Sequence, residues 1–251
     1  MLEVKELSCG YGNDTVVKNV SLSVRDGEIL AITGPNGCGK TTLLRALCGI
    51  IPYKAGSALI DGKEIHSMSR EELSMNAALL SQTGAGGEYS DFTVRETVAL
   101  GRYAKNKGFG SDKTDEAAAE KYMKKTDTLS FADSVITELS GGQLQRVLLA
   151  RAFAQEPKII FLDEPANHLD LKRQIELIEM LKAWAADGKS VVGVFHDLNL
   201  AAELSDRIMV MNEGRTELLD SSENICRSEK LNKIYGFDIR AYMRKTLKKW
   251  E

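Results

Sequence analysis

Long apolar segments and an excess of charge of one sign are what this sequence lacks. No run approaches the ~18–20 apolar residues that a membrane-spanning helix needs, and Glu3, Lys5 and Glu6 interrupt any signal-peptide pattern at the N-terminus. The net charge is only −3, from 33 basic and 36 acidic residues, so no global positive field favours nucleic acid. We therefore expect a cytosolic protein that reaches a membrane only through partners and does not bind nucleic acid.

Cysteine is also scarce. The 4 cysteines show no paired metal-ligand spacing, which gives no sign of a cysteine-based metal site and indicates a reducing compartment. Internal repeats, heptad arrays and low-complexity tracts are absent from the sequence as well. With 251 residues, 43% of them hydrophobic, the chain suffices for one large domain or for a domain with an inserted subdomain.

The most informative pattern is a glycine-rich segment, Gly34–Thr41, which reads GPNGCGKT. It follows the apolar run Ile29–Thr33 and precedes a helix-like segment, which is the context of a nucleotide-phosphate loop. The glycines let successive backbone N–H groups point at one anion, and the following helix adds its positive end. Lys40 is predicted to reach the β- and γ-phosphates, and the Thr41 hydroxyl to ligate Mg²⁺. The predicted nucleotide-binding residues of this segment are Gly34, Pro35, Asn36, Gly37, Cys38, Gly39, Lys40, Thr41 and Thr42.

Cys38 lies inside this loop, next to the start of the helix. Both features tend to lower the pKa of a thiol. The sequence therefore predicts a reactive thiol at Cys38, with an inert small residue as the alternative.

A second strand-like segment, Lys158–Leu162, is apolar after its first residue and is followed directly by two acids, Asp163 and Glu164. The run is typical of a buried parallel strand. Asp163 at its end is placed to hold the Mg²⁺ shell, and Glu164 to polarise an attacking water. Acid pairs at strand ends also occur as solvated turns, but a phosphate loop in the same chain favours the catalytic interpretation.

The order of the predicted elements divides the chain. Strand patterns predict an ATP-binding α/β core with an antiparallel β subdomain over residues 1–85 and 155–220. Helical patterns replace strands over residues 86–154, which predicts an inserted helical subdomain that carries the segment Leu139–Gln143. Residues 221–251 read as a helical extension with a basic tail, which is either solvated or in contact with anionic lipid.

Three helix starts are predicted from capping residues. Ser69 with Glu72 and Thr93 with Glu96 have capping-box spacing. Ser140 is predicted to cap a helix over residues 141–154.

The segment Leu139–Gln143 reads LSGGQ. With the phosphate loop and the acid pair in this order, the chain resembles the ATP-binding-cassette (ABC) ATPases over nearly its whole length. The resemblance is consistent with an α/β fold: a P-loop NTPase core with a mixed sheet, an antiparallel β edge subdomain and an inserted helical subdomain.

The resemblance also implies roles for individual residues. Tyr11 would stack on adenine, Gln82 would contact Mg²⁺ or the attacking water, Glu164 would be the general base, and His196 would contact the γ-phosphate. The implied catalytic set is Lys40, Gln82, Glu164 and His196, and the implied metal set is Thr41, Gln82 and Asp163. The other residues that the resemblance places at the nucleotide are Val16, Ser140, Gly141, Gly142, Gln143 and Asp170.

The resemblance further implies a head-to-tail homodimer. Ser140 and Gly142 of one subunit would face the γ-phosphate of the ATP bound by the other, since small residues at a helix start make an anion nest. Two ATP molecules would then hold the subunits together until hydrolysis weakens the contact. Asp170 would link the two sites.

The segments Thr93–Tyr103 and His196–Ala201 are similar to those of type II importer ATPases, which serve iron-siderophore, haem and cobalamin uptake. Zinc and manganese importers share parts of them and stay an alternative. This similarity implies multispan permease subunits as partners, indirectly a substrate-binding protein, and a peripheral place on the cytoplasmic face of a prokaryotic plasma membrane. The glycine-rich stretch Gly84–Gly87 departs from the family pattern in the segment that forms the permease groove.

Two other classes stay open. One is a soluble ABC ATPase, for example in iron–sulfur cluster assembly, and the other is a nucleic-acid-linked ABC protein. The importer-like segments disfavour the first. The single cassette, without coiled coils or zinc inserts, disfavours the second.

Overall fold

Two β-sheets organise the protein in a computed structural model that describes residues 1–81, 91–103, 105, 113–167 and 169–248. In chain order the strands are β1 (Leu2–Cys9), β2 (Val17–Val24), β3 (Ile29–Thr33), β4 (Tyr53–Ile60), β5 (Lys63–Glu64), β6 (Ala77–Leu80), β7 (Ile159–Asp163), β8 (Ser190–Val194), β9 (Arg207–Asn212) and β10 (Arg215–Ser221).

The larger sheet is mixed and has the strand order β10-β9-β3-β8-β7-β6. Strands β6, β7, β8, β3 and β9 run parallel, and β10 pairs antiparallel with β9. The smaller sheet is antiparallel and has the order β2-β1-β4-β5. The predicted α/β fold with a mixed sheet and an antiparallel edge sheet is confirmed.

Ten α-helices accompany the strands within the described residues. They are α1 (Lys40–Leu47), α2 (Arg70–Asn76), α3 (Val94–Ala99), α4 (Lys113–Lys125), α5 (Gly141–Ala154), α6 (Leu171–Ala186), α7 (Leu198–Leu204), α8 (Ser222–Arg227), α9 (Lys230–Tyr235) and α10 (Ile239–Leu247). Short 3₁₀ turns cover Ile65–Ser67, Leu100–Arg102, Leu129–Phe131 and Ile136–Glu138.

Helices α3, α4 and α5 lie between β6 and β7 in the chain and contact one another. They fall in the stretch where a helical subdomain is predicted. The division of the chain into domains at residues 86–154 stays a prediction.

The central strand β3 explains how the layers pack. All of its residues are buried, as expected for a parallel strand covered on both faces. Ile29 and Ala31 belong to one apolar core, with α3 to α7 and the C-terminal helices. Leu30 and Ile32 belong to a second core, with α1 and the antiparallel sheet. This alternation places one face of β3 against each core, and the parallel pairing with β8 and β9 sets the edge of the sheet at which the following loop begins.

The predicted helix starts are found with one difference. Thr93 and Ser140 each form a complete capping box, with Glu96 and Gln143 respectively. Ser69 accepts the Glu72 N–H, but Glu72 does not complete the box. Its carboxylate pairs with Lys63 Nζ instead, at 2.6 Å, because β5 brings that ammonium beside the helix.

Two outer strands are held by pairing with their neighbours. β1 pairs with β2 as far as Cys9, and β10 pairs with β9 over Arg215–Ser221. Among the described residues, no helix combines the length and the apolar composition that a bilayer crossing requires.

Candidate active site

The glycine-rich segment joins the end of β3 to the start of α1, as the sequence predicts. Gly34 and Gly39 have φ values of 143° and 102°, in the region that favours glycine. A Cβ atom on Gly34 would lie 2.1 Å from the Met211 carbonyl oxygen, so no other residue fits there. One on Gly39 would lie 3.3 Å from side-chain atoms of Val16 and Val17. The conformation of the loop is therefore set by close packing against Met211 of β9 and against Val16 and Val17 at the start of β2.

Lys40, the first residue of α1, is buried, with only 5% of its surface exposed. Its Nζ donates hydrogen bonds to the carbonyl oxygens of Gly34, at 2.8 Å, and Pro35, at 2.9 Å. No carboxylate pairs with it among the residues that the structure describes. A buried ammonium balanced only by carbonyl dipoles leaves a positive charge inside the loop for an anion to neutralise.

Thr41 and Asp163 meet across two elements. The Thr41 hydroxyl in α1 donates to Asp163 Oδ1 at the end of β7, over 3.0 Å. Burial raises the pKa of Asp163, and the neighbouring Glu164 adds to this, while the Thr41 hydrogen bond opposes it. A hydroxyl and a carboxylate at this distance are the hard oxygen ligands that Mg²⁺ prefers.

Glu164 follows Asp163 in an uncommon backbone conformation, with φ at 55°. Its N–H donates to the Val194 carbonyl oxygen at 3.2 Å, which ties it to the neighbouring strand β8. Its carboxylate contacts His196 Nε2 and Asn167 Nδ2 on the two sides. The ends of two adjacent parallel strands thus bring a carboxylate and an imidazole together.

These residues surround one cavity of about 460 Å³. Phosphate-loop residues, Glu164 after β7 and His196 after β8 line it together. The lining residues are Val16, Asn36, Gly37, Gly39, Lys40, Thr41, Thr42, Glu164 and His196.

Five described residues that the sequence places at the nucleotide or the metal of the same subunit do not line this cavity: Tyr11, Gly34, Pro35, Cys38 and Asp163. Tyr11 is 45% exposed, and its hydroxyl accepts a hydrogen bond from Arg45 Nη1 at 3.2 Å. Gln82 lies outside the described residues, as do Gly84–Gly87. Stacking of Tyr11 on adenine and contact of Gln82 with Mg²⁺ or water stay predictions.

The expectation of a low pKa for Cys38 is wrong. Its side chain is buried beneath the loop, with 5% exposed, and burial raises its pKa. Lys40, with Nζ 3.9 Å from the sulfur, lowers it by a smaller amount. The desolvation of the thiolate therefore outweighs the helix end and the ammonium on which the sequence argument rested.

Three residues of Leu139–Gln143, called the signature segment from here on, line a separate cavity of about 480 Å³. Ser140 caps α5 there, and Asp170 caps α6 by accepting the Arg173 N–H at 2.9 Å. Gly141 is exposed, with free space around its Cα. None of the described signature residues lines the phosphate-loop cavity. The lining residues of the signature cavity are Ser140, Gly142, Gln143, Arg146, Leu169, Asp170 and Arg173.

Sequence reasoning gave no role to four residues of these sites, which are Asn167, Leu169, Arg173 and Arg146. Asn167, which holds the Glu164 carboxylate, lies three residues after it, a spacing at which a turn brings side chains together. Arg173 stands three residues after Asp170 on α6, which signals a charge at the same helix end. Arg146 had no such signal, because its place beside Asp127 depends on how α5 packs.

Comparison with known proteins agrees with this geometry. Residues 17–167 match the family described as ABC transporter. The uncharacterized ABC transporter ATP-binding protein YvrA of Bacillus subtilis is 41% identical over 243 residues, which cover 96% of this chain and 54% of YvrA. The ferric enterobactin transport ATP-binding protein FepC of Escherichia coli is 37% identical over 94% of this chain and 87% of FepC.

Among solved structures, the dimeric ATP-binding cassette MJ0796 in a post-hydrolysis state with ADP and Pi superposes with a TM-score of 0.79. It is 30% identical, and the match covers 88% of this chain and 99% of MJ0796. The chain spans about half the length of the first curated relatives that it matches.

Proposed function

The chain belongs to the ABC transporter family, and on that premise we propose that it is the ATP-hydrolysing, energy-coupling subunit of an importer. The observation that carries the proposal is the single cavity shared by Lys40, Thr41, Glu164 and His196. This arrangement combines a phosphate cradle with a positioned base, which is what hydrolysis of a phosphoanhydride needs.

The phosphate loop binds the nucleotide in this proposal. Backbone N–H groups at the start of α1 and the Lys40 ammonium face the phosphates and offset their charge. Lys40 exchanges its hydrogen bonds to Gly34 and Pro35 for bonds to phosphate oxygens, so binding costs little reorganisation of the backbone. Val16 and Thr42 line the same cavity beside the nucleotide.

Glu164 accepts the proton of the attacking water. His196 Nε2 contacts one oxygen of the Glu164 carboxylate and holds it in place. Asn167 restrains the second carboxylate oxygen. A carboxylate fixed by two partners is poised for one orientation of the water, which lowers the entropic cost of reaching the transition state.

The residues present fit a magnesium ion. Thr41 Oγ1 and Asp163 Oδ1 lie 3.0 Å apart at the mouth of the loop and would hold the ion together with phosphate oxygens. Bound there, Mg²⁺ would neutralise charge on the β- and γ-phosphates. Burial raises the pKa of Asp163, and a dication would offset the cost of keeping that carboxylate ionised.

The separation of the two cavities supports a head-to-tail homodimer. Ser140, Gly142 and Asp170 line a cavity of their own, so they are free to complete the nucleotide site of a second copy. In that arrangement the start of α5 faces the γ-phosphate held by the partner. The cassette MJ0796, to which the chain is similar, is dimeric.

We infer the importer class and its partners from the relatives. FepC is a ferric enterobactin transport protein, and other relatives are named for the import of cobalamin, hemin and petrobactin. The cargo proposed for this chain is accordingly an iron-siderophore, haem or cobalamin. The chain would bind multispan permease subunits at the cytoplasmic face of the plasma membrane, and through them serve a substrate-binding protein.

Affinity purification from detergent-extracted native membranes tests this function. We expect a multispan membrane protein to accompany the chain in stoichiometric amount, as identified by mass spectrometry. Recovery of soluble partners alone, with no chain in the membrane fraction, would contradict the importer and favour a soluble ABC ATPase. ATP hydrolysis by the purified chain distinguishes failure of the transport assignment from failure of the enzymatic one.

A further inference from the structure

A tyrosine of the C-terminal helices reaches the base of the phosphate loop. Tyr235 is the last residue of α9, and its hydroxyl lies 2.7 Å from Thr33 Oγ1, a contact between residues 202 positions apart. Thr33 is the last residue of β3 and is fully buried. The phosphate loop starts at the next residue, Gly34.

The same hydroxyl lies beside two loop residues. Burial raises the pKa of Tyr235, and the hydrogen bond to Thr33 and the nearby Gly34 backbone oppose that shift. The Cys38 thiol is close enough to interact electrostatically with the phenol. Tyr235 thus places a polar group of the C-terminal helices at the start of the loop.

Gly34 connects this contact to the phosphate site. Its carbonyl oxygen accepts a hydrogen bond from Lys40 Nζ at 2.8 Å. Its φ of 143° is open to glycine alone, and glycine by itself offers little resistance to rotation. A fixed partner on Thr33 therefore holds the residue from which this flexible glycine starts the loop.

Helix α9 is rigid enough to serve as that partner. Leu231, one turn before Tyr235, is 3% exposed and belongs to the apolar core. Asn232 Oδ1 accepts the Ile239 N–H at 3.0 Å and so joins α9 to α10. Gly236 ends the helix with φ at 76°. The phenol is held by the folded C-terminal helices rather than by the loop that it touches.

We propose that Tyr235 is a positioning residue for the phosphate loop: its hydroxyl, hydrogen-bonded to Thr33, fixes the point at which the loop leaves β3, and through it the backbone N–H groups that face the phosphates. The C-terminal helices thereby take part in nucleotide binding without contacting nucleotide. This inference rests on the proposed binding of nucleotide at Gly34–Thr41.

The test is the affinity of the full chain for ADP with Mg²⁺, measured by calorimetry, because ADP binds without turnover. Tyr235→Phe keeps the ring and removes the hydroxyl, and we expect a rise in Kd of about twofold to tenfold, the range of one hydrogen bond. Tyr242→Phe is the matched control, since Tyr242 is 57% exposed on α10, and its Kd stays at the wild-type value.

Variants of Thr33 test the same contact from the other side. Thr33→Val removes the partner hydroxyl without altering α9, and we expect it to weaken ADP binding in the same direction. Thr33→Ser retains a hydroxyl and restores affinity. In the double variant Thr33→Val with Tyr235→Phe, the loss of ADP binding free energy is smaller than the sum of the two single losses, since both substitutions remove the same contact.

Three outcomes are decisive. A folded Tyr235→Phe variant with wild-type affinity overturns the inference, even if its melting temperature falls, because a merely structural role would lower stability alone. If Tyr235→Phe does not fold, the inference is overturned by a Thr33→Val variant that binds ADP with wild-type affinity. Failure of the wild-type chain to bind ADP at all would refute the proposed function, and with it the premise of this inference.

Discussion

At the scale of the residue, Glu164 shows most clearly how the fold serves chemistry. A φ of 55° costs about 1–3 kcal/mol for a residue with a side chain. The conformation persists because the N–H is tied to Val194 and the carboxylate is held by His196 and Asn167. The strained turn directs the carboxylate into the same cavity that Lys40 of α1 lines.

Replacement of Glu164 by glutamine is expected to separate binding from hydrolysis. Glu164→Gln keeps the shape and the contacts of the turn but cannot accept a proton, so ATP hydrolysis falls by about 10²–10⁴-fold, the usual share of a general base. Phosphate release measures the loss, and ADP affinity measures the retained binding. Glu223→Gln, at an exposed position of α8, is the control and hydrolyses ATP at the wild-type rate. Full hydrolysis by Glu164→Gln would remove Glu164 from the proposed role.

The sequence predicts the members of this site better than their electrostatics. Spacing alone predicts roles for Lys40, Thr41, Asp163 and Glu164, because a loop between strand and helix and an acid at a strand end are local patterns. The pKa of Cys38 could not be predicted in the same way, since burial under the loop depends on packing that no local pattern encodes.

At the scale of the element, a polar network fastens α5 to the helices around it. Arg102, with 14% of its side chain exposed, pairs with Asp115 of α4 and with Glu156 just after α5. Tyr122 of α4 and Lys105 also donate to Glu156. Since α5 carries the signature segment at its other end, this network holds the far end of the helix that presents Ser140.

Removal of the Glu156 charge is expected to destabilise the protein in a pH-dependent way. Burial raises the pKa of Glu156, but Lys105, Arg102 and Tyr122 outweigh it and hold the value at about 2, against an ordinary 4.5. This stabilisation is complete above pH 4.5 and is lost as the pH falls towards 2. Glu156→Gln therefore lowers the free energy of unfolding by about 1–2 kcal/mol at neutral pH, and the difference shrinks between pH 4.5 and 2.

Denaturant unfolding at several pH values measures that difference. Glu120→Gln is the matched control, because Glu120 of α4 pairs with Lys124 at an exposed position, where such pairs contribute little. A Glu156→Gln difference that stays constant with pH would mean that packing, and not charge, explains the loss.

Elements also show where sequence patterns stop being informative. The α5 cap at Ser140 and the limits of α5 agree with the predicted ones, because a capping residue acts on the turn next to it. Glu72 fails to complete its capping box because Lys63, from another element, competes for the carboxylate. Partner choice among charged side chains is a tertiary property.

At the scale of the whole molecule, the two halves of the proposed catalytic machinery line different cavities. The phosphate loop, Glu164 and His196 share one, while Ser140, Gly142 and Asp170 share the other. A dimer that joins the first cavity of one copy to the second of its partner makes two composite sites. The proposal therefore predicts how defects in different subunits combine.

Mixed dimers with complementary defects give the test. One subunit carries Lys40→Ala and the other Ser140→Arg, both in a Glu164→Gln background, and two affinity tags isolate the mixed species. In a head-to-tail dimer, both defects fall in the same composite site and the second site is intact. We expect the mixed dimer to retain about one ATP, compared with two for Glu164→Gln alone and none for either doubly defective homodimer.

The alternative, in which each subunit's signature serves its own nucleotide, predicts the opposite result. Each site would then carry one defect, and the mixed species would retain no ATP. Loss of the Ser140 cap costs about 1 kcal/mol of helix stability, so ADP binding by the Ser140→Arg subunit alone is the control for its fold. Ser140 lines no part of the phosphate-loop cavity within one chain. The Ser140→Arg subunit alone therefore binds ADP with wild-type affinity. Any loss of ATP in the Ser140→Arg homodimer then arises from the contact between subunits.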